Sequence, residues 1–215
     1  EMITCDSFIH NERKSYTVKP DESNLTIQLA GSEPEKYGVC AKIIESKGYD
    51  EINLNIGCPS DKVIKGKFGA CLMNSPKLVA DCILEIKNAC NLPISIKTRL
   101  GLGYDEDLSL LFELINETRD VGCEKYFIHA RNAILTGLSP KKNRKIPKLR
   151  YEDVVVVRNK YKDIELYLNG GLEGMPDIKN NISIFDGLMI GRKIYDDPMF
   201  LRKIDKEIYN NEDVI

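Results

Sequence analysis

The thiol of Cys58 stands directly after a predicted β-strand. In the run Glu51–Ile56 the apolar residues alternate, as in a strand whose side chains pack in a sheet interior. Gly57 then allows the backbone to turn, and Pro59 prevents the strand from continuing. In parallel α/β folds, the loops after the carboxyl ends of the strands line the open face of the sheet or barrel. The sequence therefore predicts a cysteine placed where chemistry occurs.

Three other predicted strands carry a polar residue among apolar neighbours, namely Gln28, Lys97 and His129. A lysine facing a barrel interior is costly to desolvate unless it meets an anion or a hydrogen-bonded partner. Lys97 could instead point outward and pair in the helix layer, and His129 could be a satisfied core histidine. The repetition at successive strand ends favours a shared ligand site.

Two glycine turns follow the last two predicted strands, Asn169-Gly170-Gly171 and Ile190-Gly191-Arg192. In (β/α)₈ barrels this pair of loops is the usual phosphate site, and Arg192 adds a guanidinium. No G-x-G-x-x-G follows an early strand, which disfavours a dinucleotide-binding doubly wound sheet.

Composition limits the possible partners. The net charge is only −2, so attraction to nucleic acid must come from a local patch. The sequence from Lys125 to Tyr151 has no acidic residue and contains such a patch. Its cations are Lys141, Lys142, Arg144, Lys145, Lys148 and Arg150. A solvated charged loop is the alternative interpretation.

Seven cysteines without a C-x-x-C pair indicate reduced thiols of a cytoplasmic protein rather than a disulfide framework or a metal site. No apolar run is long enough to cross a membrane, and no leader precedes Glu1. We expect a soluble cytoplasmic protein without a bound metal.

Strands and helices are predicted to alternate through one domain, residues 1–215. The predicted strands are Met2–Cys5, Leu25–Ala30, Glu51–Ile56, Ile94–Thr98, Lys125–His129, Glu165–Asn169 and Asp186–Ile190. The predicted helices are Pro34–Lys47, Pro76–Cys90, Glu106–Val121, Tyr151–Tyr161, Gly174–Asn181 and Pro198–Tyr209. The alternation predicts parallel strands in a TIM (β/α)₈ barrel or a doubly wound sheet, and the phosphate loops favour the barrel. Since a barrel has eight strands, the first β/α unit is predicted to be missing.

The motifs resemble those of the tRNA-dihydrouridine synthases over essentially the whole chain. The matching segments occur in the family's order: Gln28, Asn53–Ser60, Lys97-Thr98-Arg99, His129-Ala130-Arg131, Asn143-Arg144, Ile146-Pro147, Asn169–Gly171 and Gly191-Arg192. The segments Phe68–Met73 and Gly137–Lys141 are similar to those of the bacterial A-type subfamily, which modifies D-loop uridines 20 and 20a of tRNA.

The resemblance implies FMN as cofactor, NADPH as reductant and the D-loop of tRNA as substrate. By position, Gln28, Lys97 and His129 would contact the flavin ring or ribityl chain. The phosphate would be held by Asn169, Gly170, Gly171, Gly191 and Arg192. The RNA would be faced by Asn55, Arg131, Lys141 and Arg144. We expect no protein partner, and a monomer for the complete protein.

Reduction of a uracil 5,6 double bond requires a hydride at C6 and a proton at C5, so an acid must be positioned at the ring. The resemblance assigns that role to Cys58. Other family branches lack a cysteine corresponding to Cys71, so Cys71 is expected to pack and Cys58 to react.

The resemblance also implies segments outside this sequence: an alanine-proline-methionine strand before Glu1 and a C-terminal helical domain after about Asn210. Two alternatives remain open. One is an FMN barrel that reduces a free base, of the dihydropyrimidine or dihydroorotate oxidoreductase type. The other is a non-catalytic RNA-binding fragment that cannot hold flavin.

Overall fold

A computed structural model describes residues 2–10 and 23–211. In these residues the strands are β1 (Met2–Thr4), β2 (Thr26–Ala30), β3 (Glu51–Ile56), β4 (Ile94–Arg99), β5 (Lys125–His129), β6 (Glu165–Asn169) and β7 (Gly187–Met189). The helices are α1 (Cys5–His10), α2 (Pro34–Ser46), α3 (Asp61–Lys65), α4 (Pro76–Ala89), α5 (Ser109–Asp120), α6 (Pro140–Asn143), α7 (Tyr151–Lys160), α8 (Met175–Asn181), α9 (Arg192–Asp196) and α10 (Phe200–Ile208), with a 3₁₀ helix at Gly69–Asn74.

The strands form one parallel sheet in the order β1-β2-β3-β4-β5-β6-β7. A doubly wound sheet reverses its strand order near the middle, whereas right-handed crossovers in an unbroken sequential order place every helix on the same side. The helices accordingly pack in chain order, α1 on α2, α2 on α4 and α4 on α5. The predicted barrel-type fold is confirmed, and the doubly wound alternative is wrong.

Both faces of the sheet are buried at β3, where every residue is covered. Ile52, Leu54 and Ile56 belong to the apolar core shared with the helices. The intervening side chains of Asn53 and Asn55 lie on the other face and make hydrogen bonds there. The alternation therefore divides the strand into an outer apolar row and an inner polar row.

All seven predicted strands are present, and hydrogen bonds account for two of the differences at element ends. At the start of β7 the Asp186 N–H still donates to the Leu166 carbonyl, but the Leu166 N–H donates to the Asp186 carboxylate instead of to a backbone carbonyl. Helix α5 begins at Ser109 rather than at Glu106, because the Glu106 and Asp105 carbonyls accept hydrogen bonds from Arg150 and Asn132.

The sequence did not predict the short helices α1, α3, α6 and α9 or the 3₁₀ helix. Each has four to six residues, too few to show a helical apolar period. No helix within residues 2–10 and 23–211 is both long and apolar enough to cross a lipid bilayer. A missing first β/α unit stays a prediction.

Candidate active site

A cavity of about 790 Å³ opens at the carboxyl ends of the strands. Every predicted site residue except Arg131 and Lys141 lines it. The predicted residues in its wall are Gln28, Asn55, Cys58, Lys97, His129, Arg144, Asn169, Gly170, Gly171, Gly191 and Arg192. Ligand pockets in proteins span about 300 to 1,000 Å³, so this cavity can take a ligand of nucleotide size.

The turn after β3 holds Cys58 at the cavity wall. The Asn55 Oδ1 atom accepts hydrogen bonds from the backbone N–H of Gly57, at 3.2 Å, and of Cys58, at 3.0 Å. The Cys58 carbonyl accepts the Ala70 N–H at 3.1 Å, at the start of the 3₁₀ helix. The thiol itself is half-buried and lies 3.6 Å from the Ser60 hydroxyl. The backbone around the thiol is thus fixed on both sides.

Gly57 is required by a close approach to the neighbouring strand. A Cβ atom there would lie 3.3 Å from the carbonyl carbon of Thr98 in β4, which is backbone and cannot move aside cheaply. The turn can therefore lie directly against β4. Only glycine allows this approach without a shift of the sheet.

Asn55 is bound on both sides within the protein. Besides the two N–H groups of the Cys58 turn, its Nδ2 donates to the Gln28 Oε1 at 2.9 Å, and the residue is 8% exposed. Sequence reasoning placed Asn55 toward RNA. Its hydrogen bonds hold the Cys58 turn, and its predicted contact with RNA stays a prediction.

Lys97 points into the cavity, so the alternative of an outward lysine is wrong. Its Nζ donates to the Asn169 Oδ1 at 2.9 Å. Burial, together with the nearby Arg99, lowers the pKa of Lys97 to about 8. An anionic ligand in the cavity would relieve the desolvation cost of this half-buried ammonium.

Arg99 is a cavity residue that the sequence analysis did not single out. It is 5% exposed, and its Nε donates to the Gly57 carbonyl at 3.2 Å. Burial lowers its pKa to about 10. The available signal was its spacing, since residues two apart on a strand share one face and Lys97 was already predicted to line the site.

His129 is a neutral imidazole at the end of β5. Burial lowers its pKa to about 2, and the nearby cations Arg99 and Lys97 contribute to the shift. Its Nδ1 has no hydrogen-bond partner among the described residues. The ring packs on Gly170, whose φ of +99° and lack of a side chain permit the approach. An unsatisfied buried nitrogen at a cavity wall is suited to a ligand's polar atom.

The ends of β6 and β7 form the opposite wall. The Asn169 Nδ2 donates to the Met189 carbonyl at 2.7 Å and so ties the two strand ends together. A Cβ atom at Gly191 would meet no atom of the described residues within 4 Å, so this turn borders open space. The Arg192 Nη2 atom lies 3.9 Å from the Oε1 atom of Glu173, an acidic cavity residue that the sequence analysis did not predict.

The structure divides the basic segment that sequence reasoning treated as one patch. Arg150 is 2% exposed and forms an ion pair with Asp153 at 2.8 Å. It therefore anchors the start of helix α7 and does not face solvent. Lys148 is paired with Glu106 at 3.4 Å. Arg144 and Lys145 line the cavity. The prediction of six available cations is therefore wrong for Arg150.

Arg131 and Lys141 lie outside the cavity lining. Arg131 donates through Nη1 to the Pro147 carbonyl and thereby holds the basic segment against β5. Lys141 is exposed on α6. Their predicted contacts with RNA stay predictions.

Cys71 is half-buried in the 3₁₀ helix, outside the cavity lining. Burial raises the pKa of its thiol. It lies near Cys58 in sequence but in a separate environment, which makes it a useful internal reference.

A family model described as "Dihydrouridine synthase (Dus)" matches residues 1–215. The chain belongs to the dihydrouridine synthase family. It is 40% identical over 214 residues to the tRNA-dihydrouridine(20/20a) synthase of Escherichia coli O6:H1, covering 99% of this chain and 65% of that protein. The enzyme of the same name from Pseudomonas putida is 39% identical over 214 residues, covering 99% of this chain and 63% of that protein.

The solved structure of histamine dehydrogenase from Rhizobium sp. 4-9 is similar in fold, with a TM-score of 0.63 at 14% sequence identity. The match covers 94% of this chain and 37% of that one. The chain spans less than two thirds of the length of the curated relatives named here.

Proposed function

We propose that this chain is the catalytic part of a tRNA-dihydrouridine(20/20a) synthase. It would reduce the 5,6 double bond of D-loop uridines with FMN as cofactor and NADPH as reductant. The observation that carries the proposal is the placement of Cys58. Its half-buried thiol lies in the wall of a cavity that also contains two cations, the half-buried Lys97 and the buried Arg99. Relatives of this name are about 40% identical to the chain.

The cavity residues fit a flavin mononucleotide. The unpartnered Nδ1 of the neutral His129 and the Nζ of Lys97 suit the polar edge of a flavin ring or its ribityl chain, and Gln28 borders the same space. At the other end, the open turn at Gly191 and the guanidinium of Arg192 suit a phosphate. The flavin, when bound, supplies the hydride.

The protein's own residues would supply the proton for C5 of the uracil and the positive charge that stabilises the reduced ring. Cys58 is the protic group that we assign as donor to C5 of the uracil, since the turn around it is fixed by Asn55. Negative charge develops toward O4 as the ring is reduced. Lys97 and Arg99 provide fixed positive charge in a buried site, where such charge is most effective.

Cations at the rim would hold the RNA. Arg144 and Lys145 line the cavity mouth, and Lys141 and Lys142 are exposed beside them on α6. Contacts of this kind bind phosphates and orient the strand without reading its sequence. The target uridine must leave the base stack to reach Cys58.

The test uses the full-length protein, purified with its flavin and mixed with NADPH and unmodified tRNA transcript. We expect flavin absorbance, and dihydrouridine at positions 20 and 20a by mass spectrometry of nuclease digests. Reduction of free uracil or orotate instead of tRNA would support the free-base oxidoreductase. A colourless protein that binds tRNA without reacting would support the RNA-binding fragment.

A further inference from the structure

A series of hydrogen-bonded polar side chains runs along the inner face of the sheet, away from the cavity. The series starts at the Cys58 turn, where Asn55 accepts two backbone N–H groups. Its members, which we call the polar chain, are Asn55, Gln28, Asn53, Ser95 and Glu51. Their strands bring them together because Gln28 is in register with Asn53, and Asn53 with Ser95.

Each link of the polar chain donates in the same direction. Asn55 Nδ2 donates to Gln28 Oε1 at 2.9 Å, and Gln28 Nε2 donates to Asn53 Oδ1 at 2.7 Å. Asn53 Nδ2 donates to Ser95 Oγ at 2.7 Å. Ser95 Oγ donates to Glu51 Oε1 at 2.5 Å. Every carboxamide uses its oxygen toward Cys58 and its nitrogen toward Glu51.

The two ends of the polar chain require this direction. Glu51, ion-paired with Lys125 at 2.6 Å through Oε2, offers only acceptors, so Ser95 must donate to it. Backbone N–H groups offer only donors, so Asn55 must present its oxygen to the Cys58 turn. Asn53 is 3% exposed and Ser95 is 0% exposed, so water cannot replace a lost partner at either side chain. Reversing the Asn53 carboxamide alone would leave two donors or two acceptors facing each other without a hydrogen bond.

We propose that Glu51, Ser95 and Asn53 are positioning residues that set the orientation of the Asn55 and Gln28 carboxamides and thereby hold the Cys58 turn. Glu51 acts from the first residue of β3, at the end of the strand opposite to the turn. The catalytic consequence rests on the proposed function. The structural consequence, a Cys58 backbone fixed by a remote carboxylate, does not.

Glu51→Gln in the full-length protein tests the direction of the polar chain. The ammonium of Lys125 requires the oxygen of the new carboxamide, which leaves its NH₂ facing Ser95. If Ser95 accepted from both NH₂ groups, its buried O–H would be left without an acceptor. Ser95 would therefore donate to Asn53, and the reversal would pass through Gln28 until Asn55 presented its NH₂ to the N–H groups of the turn. The Cys58 turn should then loosen.

The readout is the rate of alkylation of Cys58 by iodoacetamide divided by that of Cys71, from peptide mass spectrometry. We expect Glu51→Gln to raise this ratio about two- to tenfold, the factor that corresponds to loss of one hydrogen bond. Ser95→Ala, which interrupts the polar chain between Asn53 and Glu51, should raise the ratio similarly and serves as the test if Glu51→Gln does not fold. In turnover, kcat should fall by a similar factor while KM for tRNA stays unchanged.

Lys125→Met is the matched control, because it removes the ion pair but leaves the acceptor-only carboxylate. It should leave the ratio at the wild-type value even if the protein melts at a lower temperature. An equal rise in Lys125→Met would overturn the proposal in favour of a simple ion-pair role. So would an unchanged ratio in both Glu51→Gln and Ser95→Ala. Absence of dihydrouridine formation in the wild type would count against the proposed function alone, since alkylation needs no substrate.

Discussion

The two walls of the cavity use polar groups differently. The thiol wall, formed by Gln28, Asn55, Gly57 and Cys58, contains carboxamides hydrogen-bonded to one another and to the backbone. The other wall, which we call the phosphate wall after its proposed ligand, is formed by Gly170, Gly171, Gly191 and Arg192. It has an open turn at Gly191 and a guanidinium side chain that is 44% exposed. One wall is fixed internally, and the other presents space and charge to a ligand.

This difference separates positioning from binding. Side chains whose donors and acceptors are already used can hold a reactive group in place but have little capacity left for a ligand. Glycine turns leave room for close approach to the backbone. We therefore expect changes in the thiol wall to affect reaction rate and changes in the phosphate wall to affect cofactor retention.

Cys58→Ala should have the largest effect. In the full-length protein, dihydrouridine formation should fall by about 10²- to 10⁴-fold, as expected for loss of a general acid, while flavin stays bound and NADPH still reduces it. Single-turnover assays and flavin absorbance measure the two quantities. Cys71→Ala is the control and should change stability only. Loss of turnover in Cys71→Ala with a fully active Cys58→Ala would reverse the assignment of the two thiols.

Gly170→Ala should break the phosphate wall. Its Cβ would lie 2.9 to 3.1 Å from three ring atoms of His129, at a φ of +99°. The clash should displace the His129 ring from the cavity wall. We expect FMN affinity, measured by fluorescence titration, to fall by about tenfold or more, since a loss of about 1.4 kcal/mol in the bound state corresponds to a factor of ten. Gly137→Ala separates backbone strain from steric overlap, because Gly137 has a φ of +80° with no described atom within 4 Å of a Cβ. Equal reductions in both variants would contradict a local effect on the cavity, because Gly137 lies outside its lining.

The rim cations Arg144 and Lys145 belong to neither wall, so their removal should affect the binding of RNA alone. Replacing both Arg144 and Lys145 by alanine should reduce the slope of log affinity for tRNA against log salt by up to about two, one for each phosphate that is no longer neutralised. Filter-binding titrations between low and physiological salt measure the slope. Lys148→Ala is the control, because this ammonium is already paired with Glu106. A slope unchanged in the double variant would remove the rim from the RNA interface.

His129, which packs on the phosphate wall through Gly170, should give the smallest effect, seen in the pH dependence of stability. Its pKa is about 2 when folded, against 6.5 for an ordinary histidine, so between these values the unfolded chain binds the additional proton. The free energy of unfolding should then fall on acidification below pH 6.5, by up to about 1.4 kcal/mol per pH unit. Urea titrations should show a flatter pH dependence in His129→Gln.

His10→Gln is the matched control for that measurement, because His10 is exposed on α1. It measures how much the loss of an exposed imidazole changes the titration by itself. An identical pH dependence in wild type and His129→Gln would mean that folding does not lower the pKa of the imidazole, and the argument for a neutral ring facing a flavin would be lost.

The predictions from sequence succeeded where the signal was local. The alternation in Glu51–Ile56 indicated a strand, and the glycine-proline pair around Cys58 indicated its end, because backbone geometry there depends on a few adjacent residues. They failed for the start of α5, where Arg150 and Asn132 bind carbonyls from elsewhere in the chain. They also failed for Arg150, whose charge looked available in sequence but is paired with Asp153.

The sequence by itself determined the alternation of strands and helices, the thiol at a strand end and the glycine turns, since periodicity and turn chemistry are properties of short segments. The tertiary structure alone decided which polar groups are free. Asn55 and Arg150 are internally bonded because residues far away in sequence lie within hydrogen-bond distance of them. The direction of the hydrogen bonds in the polar chain likewise depends on both of its ends, the Glu51 carboxylate and the Cys58 N–H, which only the folded sheet connects.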